Sequence, residues 1–142
     1  MKRGIECSVR WSDNDLFELR ISASNGAFAG TAEVYVAIGG LASAAARLEG
    51  FPRSPADARD LVFGAFGPNR AGGGASMRFY CGDGSGHARV DLKIESSCDR
   101  SDRIESAGFS LPIEASAVDI FVDELRRLES ARQGIASLKA GS

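Results

Sequence analysis

Residues 16–36, LFELRISASNGAFAGTAEVYV, contain the clearest structural pattern in the sequence. Apolar and polar residues alternate from Phe17 to Ala23, which is typical of a strand with one buried face. Asn25-Gly26 supplies the two residues that tolerate positive φ in a type I′ turn. The stretch therefore predicts a β-hairpin.

This turn also predicts the register of the hairpin. The expected pairs, all apolar, are Ala23–Phe28, Ile21–Gly30, Leu19–Ala32 and Phe17–Val34. A slip of one residue would move every side chain to the opposite face, so turn and pattern support each other. Because Gly30 and Ala32 are small, we expect a helix to approach the sheet closely there.

Further elements follow from periodicity. A strand around Ile5 to Trp11 precedes the hairpin. After it, apolar residues recur at helical spacing at Leu41, Ala44, Ala45 and Leu48, and Gly50 is placed to end that short helix. Four more strands are expected in DLVFGAF, ASMRFYC, HARVDLKIE and ESAGFSLPI. The apolar stripe of a last helix, opened by a capping box at Ser116, comprises Val118, Phe121, Val122, Leu125 and Leu128.

Together these elements predict an α+β fold in the order β-β-β-α-β-β-β-β-α. We expect a mostly antiparallel sheet of about six to seven strands, with both helices packed on one face. The length of 142 residues fits a single domain over 1–142, and residues 134–142 are expected to be a frayed tail.

The segment RFYCGDGSGHARVDL, residues 78–92, holds the only histidine of the chain. Gly84-Ser85 suits a type II′ turn, which would pair Arg78 with Asp91. The expected pairs are Asp83–Gly86, Cys81–Ala88, Tyr80–Arg89, Phe79–Val90, Arg78–Asp91 and Met77–Leu92. The rival turn, Asp83-Gly84, would place Arg78 opposite Arg89, so the first is favoured.

The outward face of this hairpin gathers polar side chains. A histidine near a carboxylate can act as a general base, so His87 and Asp91, with Tyr80 and Arg89, form the hypothesis of a small hydrolase or ligand-binding enzyme. The other hypothesis is a binding surface formed by Arg78, Tyr80, Asp83, His87 and Arg89. The sequence has no second histidine, serine elbow or paired carboxylates, which favours binding.

Composition argues against several classes of function. With 17 basic and 19 acidic residues the net charge is −2, and no basic stripe suggests nucleic-acid binding. Cys7, Cys81 and Cys98 lack metal or redox spacing, so reduced thiols in a cytoplasmic protein are expected. No metal or cofactor is expected. The glycine run in GPNRAGGGA, residues 67–75, is not followed by the lysine of a P-loop, so it predicts a mobile hairpin tip and not a nucleotide site. No apolar run is long enough to span a membrane.

The segments ELRIS, FAGTAEVYV, LEGFP, FGAFG, RFYCGDGSGHARVDLKI and FSLPIEA, followed by an amphipathic helix, resemble small bacterial domains of uncharacterised function. These are similar to the WapI-type immunity proteins of contact-dependent toxin systems. The resemblance implies a protein-binding role and a toxin as partner, and it assigns no functional residue. An open sheet edge also allows pairing with a second copy of the chain.

Overall fold

The computed structural model describes residues 2–67, 72–82, 87–96 and 103–141. These residues form eight strands and two helices in an α+β arrangement. The strands are β1 (Gly4–Ser12), β2 (Leu16–Ser24), β3 (Ala29–Ala37), β4 (Ala58–Gly64), β5 (Gly74–Cys81), β6 (Ala88–Glu95), β7 (Ser106–Ile113) and β8 (Ile135–Lys139). The helices are α1 (Gly40–Leu48) and α2 (Ala115–Ala131).

The strands form two antiparallel sheets of four, not the expected single sheet of six to seven. The first sheet has the order β3-β2-β1-β8 and the second has the order β4-β5-β6-β7. Alternation along a strand identifies its buried face but not its partner strands, which is why one sheet was predicted where two exist. The buried faces of both sheets and of both helices contribute to one hydrophobic core.

The β2–β3 hairpin is confirmed, but its predicted register is wrong by two residues. Ala23 pairs with Gly30, and Phe17 pairs with Val36. The side chain of Asn25 accepts hydrogen bonds from the amides of Ala27 and Phe28, so Asn25 caps the loop and does not occupy the turn centre. An even shift keeps every side chain on its predicted face, but Phe28 moves into the loop and is 63% exposed.

Strand β3 lies across the second sheet and contacts all four of its strands. A Cβ atom at Gly30 would lie 3.4 Å from the Ala107 Cβ, so the element that approaches this glycine is the second sheet and not the predicted helix. At the other end of β3, a Cβ at Gly72 would lie 2.9 Å from the ring of Tyr35. Gly72 therefore packs against β3, which corrects the prediction of a mobile tip for this part of the glycine run.

Both helices bury the predicted stripes. In α1 these are Leu41, Ala44, Ala45 and Leu48, and in α2 they are Val118, Phe121, Val122, Leu125 and Leu128. Gly50 has the expected left-handed conformation after α1. The capping box at Ser116 is wrong, because α2 begins at Ala115 with Glu114 as its N-cap and without a side-chain cap.

The predicted frayed tail is also wrong for much of its length. Residues 135–139 form β8, which pairs with β1 along the edge of the first sheet. Ala136 and Leu138 are fully buried there, because their alternation matches the buried face of β1. Burial of these two side chains, together with the backbone pairing to β1, helps to offset the loss of chain entropy on ordering the segment.

Candidate functional site

The outer face of the second sheet carries the polar side chains that the sequence brought together. We define this outer face by Asp60 on β4, Arg78 and Tyr80 on β5, Arg89 and Asp91 on β6, and Ser110 on β7. The predicted register of β5 and β6 is confirmed, with Tyr80 opposite Arg89 and Arg78 opposite Asp91. The proposed turn and Asp83 lie outside the described residues.

The arginines of the outer face are paired across strands. The Arg78 Nη1 donates to both carboxylate oxygens of Asp60, at 2.9 and 3.1 Å. Asp60, which lies opposite Arg78 on β4, is therefore its ion-pair partner, and Asp91, which lies opposite it on β6, is not. These side chains are 56% and 59% exposed, and such a surface pair stabilises the fold by about 1 kcal/mol or less. The Arg89 Nη2 donates to the Ser110 Oγ at 2.9 Å.

Tyr80 is held by a hydrogen bond within the same face. Its hydroxyl donates to the Asp91 Oδ1 at 2.9 Å. Burial raises the pKa of Tyr80, the hydrogen bond to Asp91 raises it further, and the nearby Arg89 opposes the shift. At neutral pH the phenol therefore stays protonated and acts as a hydrogen-bond donor.

His87 lies at the end of the outer face, immediately before β6. Its carbonyl accepts a hydrogen bond from the Gly82 amide at 2.6 Å, which extends the β5–β6 ladder by one pair. Its side chain is exposed and borders a shallow depression of about 420 Å³ that Arg89 and Glu114 also line. His87 precedes Asp91 by four residues of extended chain, a distance of about 13 Å, so the structure does not join them as a catalytic pair.

The free cysteines occupy different environments. Cys7 is fully buried, and burial together with the adjacent Glu6 raises its pKa to about 12. Cys81, predicted to be a core residue, is only half-buried, and its Sγ contacts the Ser54 carbonyl oxygen at 3.6 Å. Cys98 lies outside the described residues. Within the described ranges, no three His, Cys, Asp or Glu side chains cluster as metal ligands would.

The sequence did not reveal an aromatic row on the outer face of the first sheet. Trp11 and Tyr35 both lie beside Glu18 and are 49% and 38% exposed. A β-bulge between Val9 and Trp11 turns Trp11 outward, whereas simple alternation placed it on the buried face with Cys7. Sequence alone could not predict that Trp11 is exposed, because a β-bulge has no reliable signature in a single sequence.

No protein-family model, curated protein or solved structure matches this chain. Of the two described helices, neither is long and apolar enough to cross a membrane.

Proposed function

We propose that this protein is a non-enzymatic, cytoplasmic interaction module that binds a protein partner through the outer face of its second sheet. The observation that carries the proposal is the pairing within that face. Arg78, Tyr80 and Arg89 are each hydrogen-bonded to a neighbouring side chain across the strands. Side chains fixed in this way lose less conformational entropy when a partner binds.

The chemistry of the outer face suits recognition better than catalysis. Tyrosine and arginine are the residues most often found at the energetic centres of protein interfaces. A general base must lie within about 3 Å of the proton that it abstracts, and a carboxylate that orients a histidine base must lie within hydrogen-bond distance of it. Asp91 is too far from His87 along the chain to take that orienting role. The phenol of Tyr80 has a raised pKa, which makes it a poor base at neutral pH.

One observation favours the second candidate function, a small hydrolase or ligand-binding enzyme. His87 and Glu114 border the same depression, so an imidazole and a carboxylate are available to one small ligand. Substitution His87→Ala separates the two functions. Loss of a measured activity with an unchanged fold would favour the enzyme, and a change in partner affinity alone would favour binding.

The class of partner to test first is a bacterial toxin. The support for it is the resemblance to WapI-type immunity proteins, which implies a protein-binding role and assigns no residue. An immunity protein has to act in the compartment of the toxin's target, which fits a cytoplasmic chain with reduced cysteines. Neutralisation of a co-encoded toxin in a growth assay would test this assignment.

Affinity capture from the source lysate with a matched pair of baits tests the proposed surface. The first bait is the double variant Tyr80→Ala/Arg89→Ala, and the control bait is Trp11→Ala, which removes a larger side chain from the other sheet. Both folds are checked by circular dichroism. We expect wild type and Trp11→Ala to retain the same protein and the double variant to lose it. Retention of that protein by the double variant would contradict the proposal.

A further inference from the structure

The edge strands of the two sheets are not equally available for pairing with a further strand. On β3, the Glu33 carbonyl accepts a hydrogen bond from the Gly73 amide at 2.7 Å. On β8, the Ser137 amide donates to a carboxylate oxygen of α2 at 2.9 Å. On β7, the Pro112 carbonyl accepts from the Gly141 amide at 2.7 Å. Each of these edges therefore has at least one outward backbone group that is already hydrogen-bonded within the chain, which hinders edge-to-edge pairing there.

Strand β4 is the fourth edge, and its outward backbone groups are open. The Ala65 amide donates to the Gly73 carbonyl at 3.1 Å, which fixes the alternation of the β4–β5 ladder. By that alternation the amide and carbonyl groups of Asp60 and Val62 point away from β5. Neither residue forms an outward backbone hydrogen bond with any part of the chain that the structure describes.

A groove of about 710 Å³ runs beside this open edge. Residues 58–63 of β4 form one side, and α1 forms the other with Gly40, Ser43 and Ala44. The small side chains of α1 leave room beside the strand, so the helix does not cover the edge as it would with larger residues. An open strand edge beside a helix is the arrangement that binds extended peptides by strand addition.

The groove has a positive charge at one end. Arg47 lines it, is exposed, and forms no ion pair with a described residue. The other charged groups of the groove are already compensated, since Arg59 pairs with Asp57 at 2.8 Å and Asp60 pairs with Arg78. A ligand that places an acidic group near Arg47 would therefore complement the charge of the groove.

We propose that the groove between β4 and α1 binds an extended, acidic segment of a partner protein, which pairs with β4 as a fifth strand of the second sheet. Its backbone bonds the open groups of Asp60 and Val62, and a carboxylate of the segment meets Arg47. This site shares only Asp60 with the outer face, and it uses the backbone of that residue and not its side chain. It can therefore be present or absent whatever the result of the capture experiment.

Fluorescein-labelled hexapeptides serve as the probe. Their central positions vary among Val, Thr, Tyr and Ser, which favour strands, and one terminal position is Asp. A matched library carries Lys in place of Asp. Binding is measured by fluorescence polarisation to wild type, Val62→Pro, Val62→Ala and Arg47→Glu. Proline at 62 removes an outward amide and no bond to β5, and edge strands accept proline, while Val62→Ala keeps the amide.

We expect members of the Asp library to bind wild type and Val62→Ala alike, and to bind Val62→Pro and Arg47→Glu about tenfold more weakly. N-methylation of the best peptide should abolish binding only at alternate residues, because alternate amides face β4. This last measurement does not depend on the folding of any variant.

Three results would overturn the proposal. One is the absence of any peptide that binds wild type below about 1 mM. Another is equal binding of the best peptide after N-methylation at every position. The third is a wild-type dimer in sedimentation equilibrium that Val62→Pro abolishes, because the edge would then bind a second copy of this chain.

Discussion

Glu129 offers the sharpest test of how the helices are held together. Helix α1 follows Gly39, which has no side chain to cap it, and Glu129 of α2 takes that role. Its Oε2 accepts from the Gly39 amide at 2.9 Å, and its Oε1 accepts from the Leu41 and Ala42 amides at 3.1 and 3.0 Å. One carboxylate thus satisfies three of the amides at the start of a short helix.

These hydrogen bonds allow an estimate of how much Glu129→Ala lowers the free energy of unfolding. Loss of an N-cap side chain costs about 0.5–2 kcal/mol. Loss of a negative charge at a helix N-terminus adds about 0.3–1 kcal/mol. We therefore expect a decrease of about 2 kcal/mol in the free energy of unfolding. Glu129→Gln keeps an acceptor oxygen and should lose about half of that.

Urea denaturation followed by circular dichroism measures this effect. With an m-value of about 2 kcal/mol/M, the midpoint of Glu129→Ala should fall by about 1 M. Asp123→Ala is the matched control, because it removes a charge from the same helix at an exposed residue without a bond to any described residue. Equal midpoints for Glu129→Ala and Asp123→Ala would refute the capping role.

Three further predictions concern titratable groups. A hydrogen bond from Arg59 and the Arg53 amide lower the pKa of Asp57 in the folded state, so its stabilisation is present above the unfolded value of about 3.9 and is lost as the pH falls below it. Asp57→Asn should accordingly be less stable than wild type in urea at neutral pH, and the difference should shrink below about pH 4; a constant difference would contradict this. In an ultraviolet titration, Tyr80→Phe should remove a transition whose midpoint lies above about 10, and Asp91→Asn should lower that midpoint. Since burial raises the pKa of Cys7 to about 12, iodoacetamide should alkylate Cys7 in urea but not in the native protein, as peptide mass spectrometry will show.

The sequence predicted local structure well where two independent signals agreed. The β5–β6 register is correct, because turn chemistry and the opposite charges of Arg78 and Asp91 favoured the same alignment. In the β2–β3 hairpin the apolar pattern agreed with the turn, but it fits equally well after a shift of two residues. The choice of register therefore depended on the turn chemistry, and Asn25 can either occupy a turn or cap a loop. The capping geometry, which also includes a hydrogen bond from the Asn25 Nδ2 to the Ser110 carbonyl at 3.3 Å, depends on a strand far away in sequence.

Long-range pairing was beyond the reach of sequence patterns. The division into two sheets depends on β3 crossing the second sheet at Gly30, and the pattern shows only that this position is small. Strand β8 is short, and its partner β1 lies at the other end of the chain. The only sequence feature that indicates β8 is the alternation of Ala136 and Leu138, the two residues that it buries, with more polar residues.

The sequence predicted which residues share the outer face, but it did not predict which of them bond to one another. Alternation correctly placed Arg78, Tyr80 and Arg89 on one face. The pairing of Arg78 with Asp60 could not be predicted, because no turn signal in the sequence sets the register of β4 against β5. The sequence also did not show that β4 is the strand with an open edge, because that depends on which segments of the folded chain contact each edge.

The affinity of the captured partner for three forms of the protein shows whether the outer face of the second sheet is the binding surface. Isothermal titration would compare wild type with Arg89→Ala, on the outer face of the second sheet, and with Trp11→Ala, on the first. We predict that Arg89→Ala weakens binding about tenfold, or about 1.4 kcal/mol, and that Trp11→Ala leaves it unchanged. Unchanged binding by Arg89→Ala together with loss of binding by Trp11→Ala would mean that the partner binds the first sheet and not the outer face of the second.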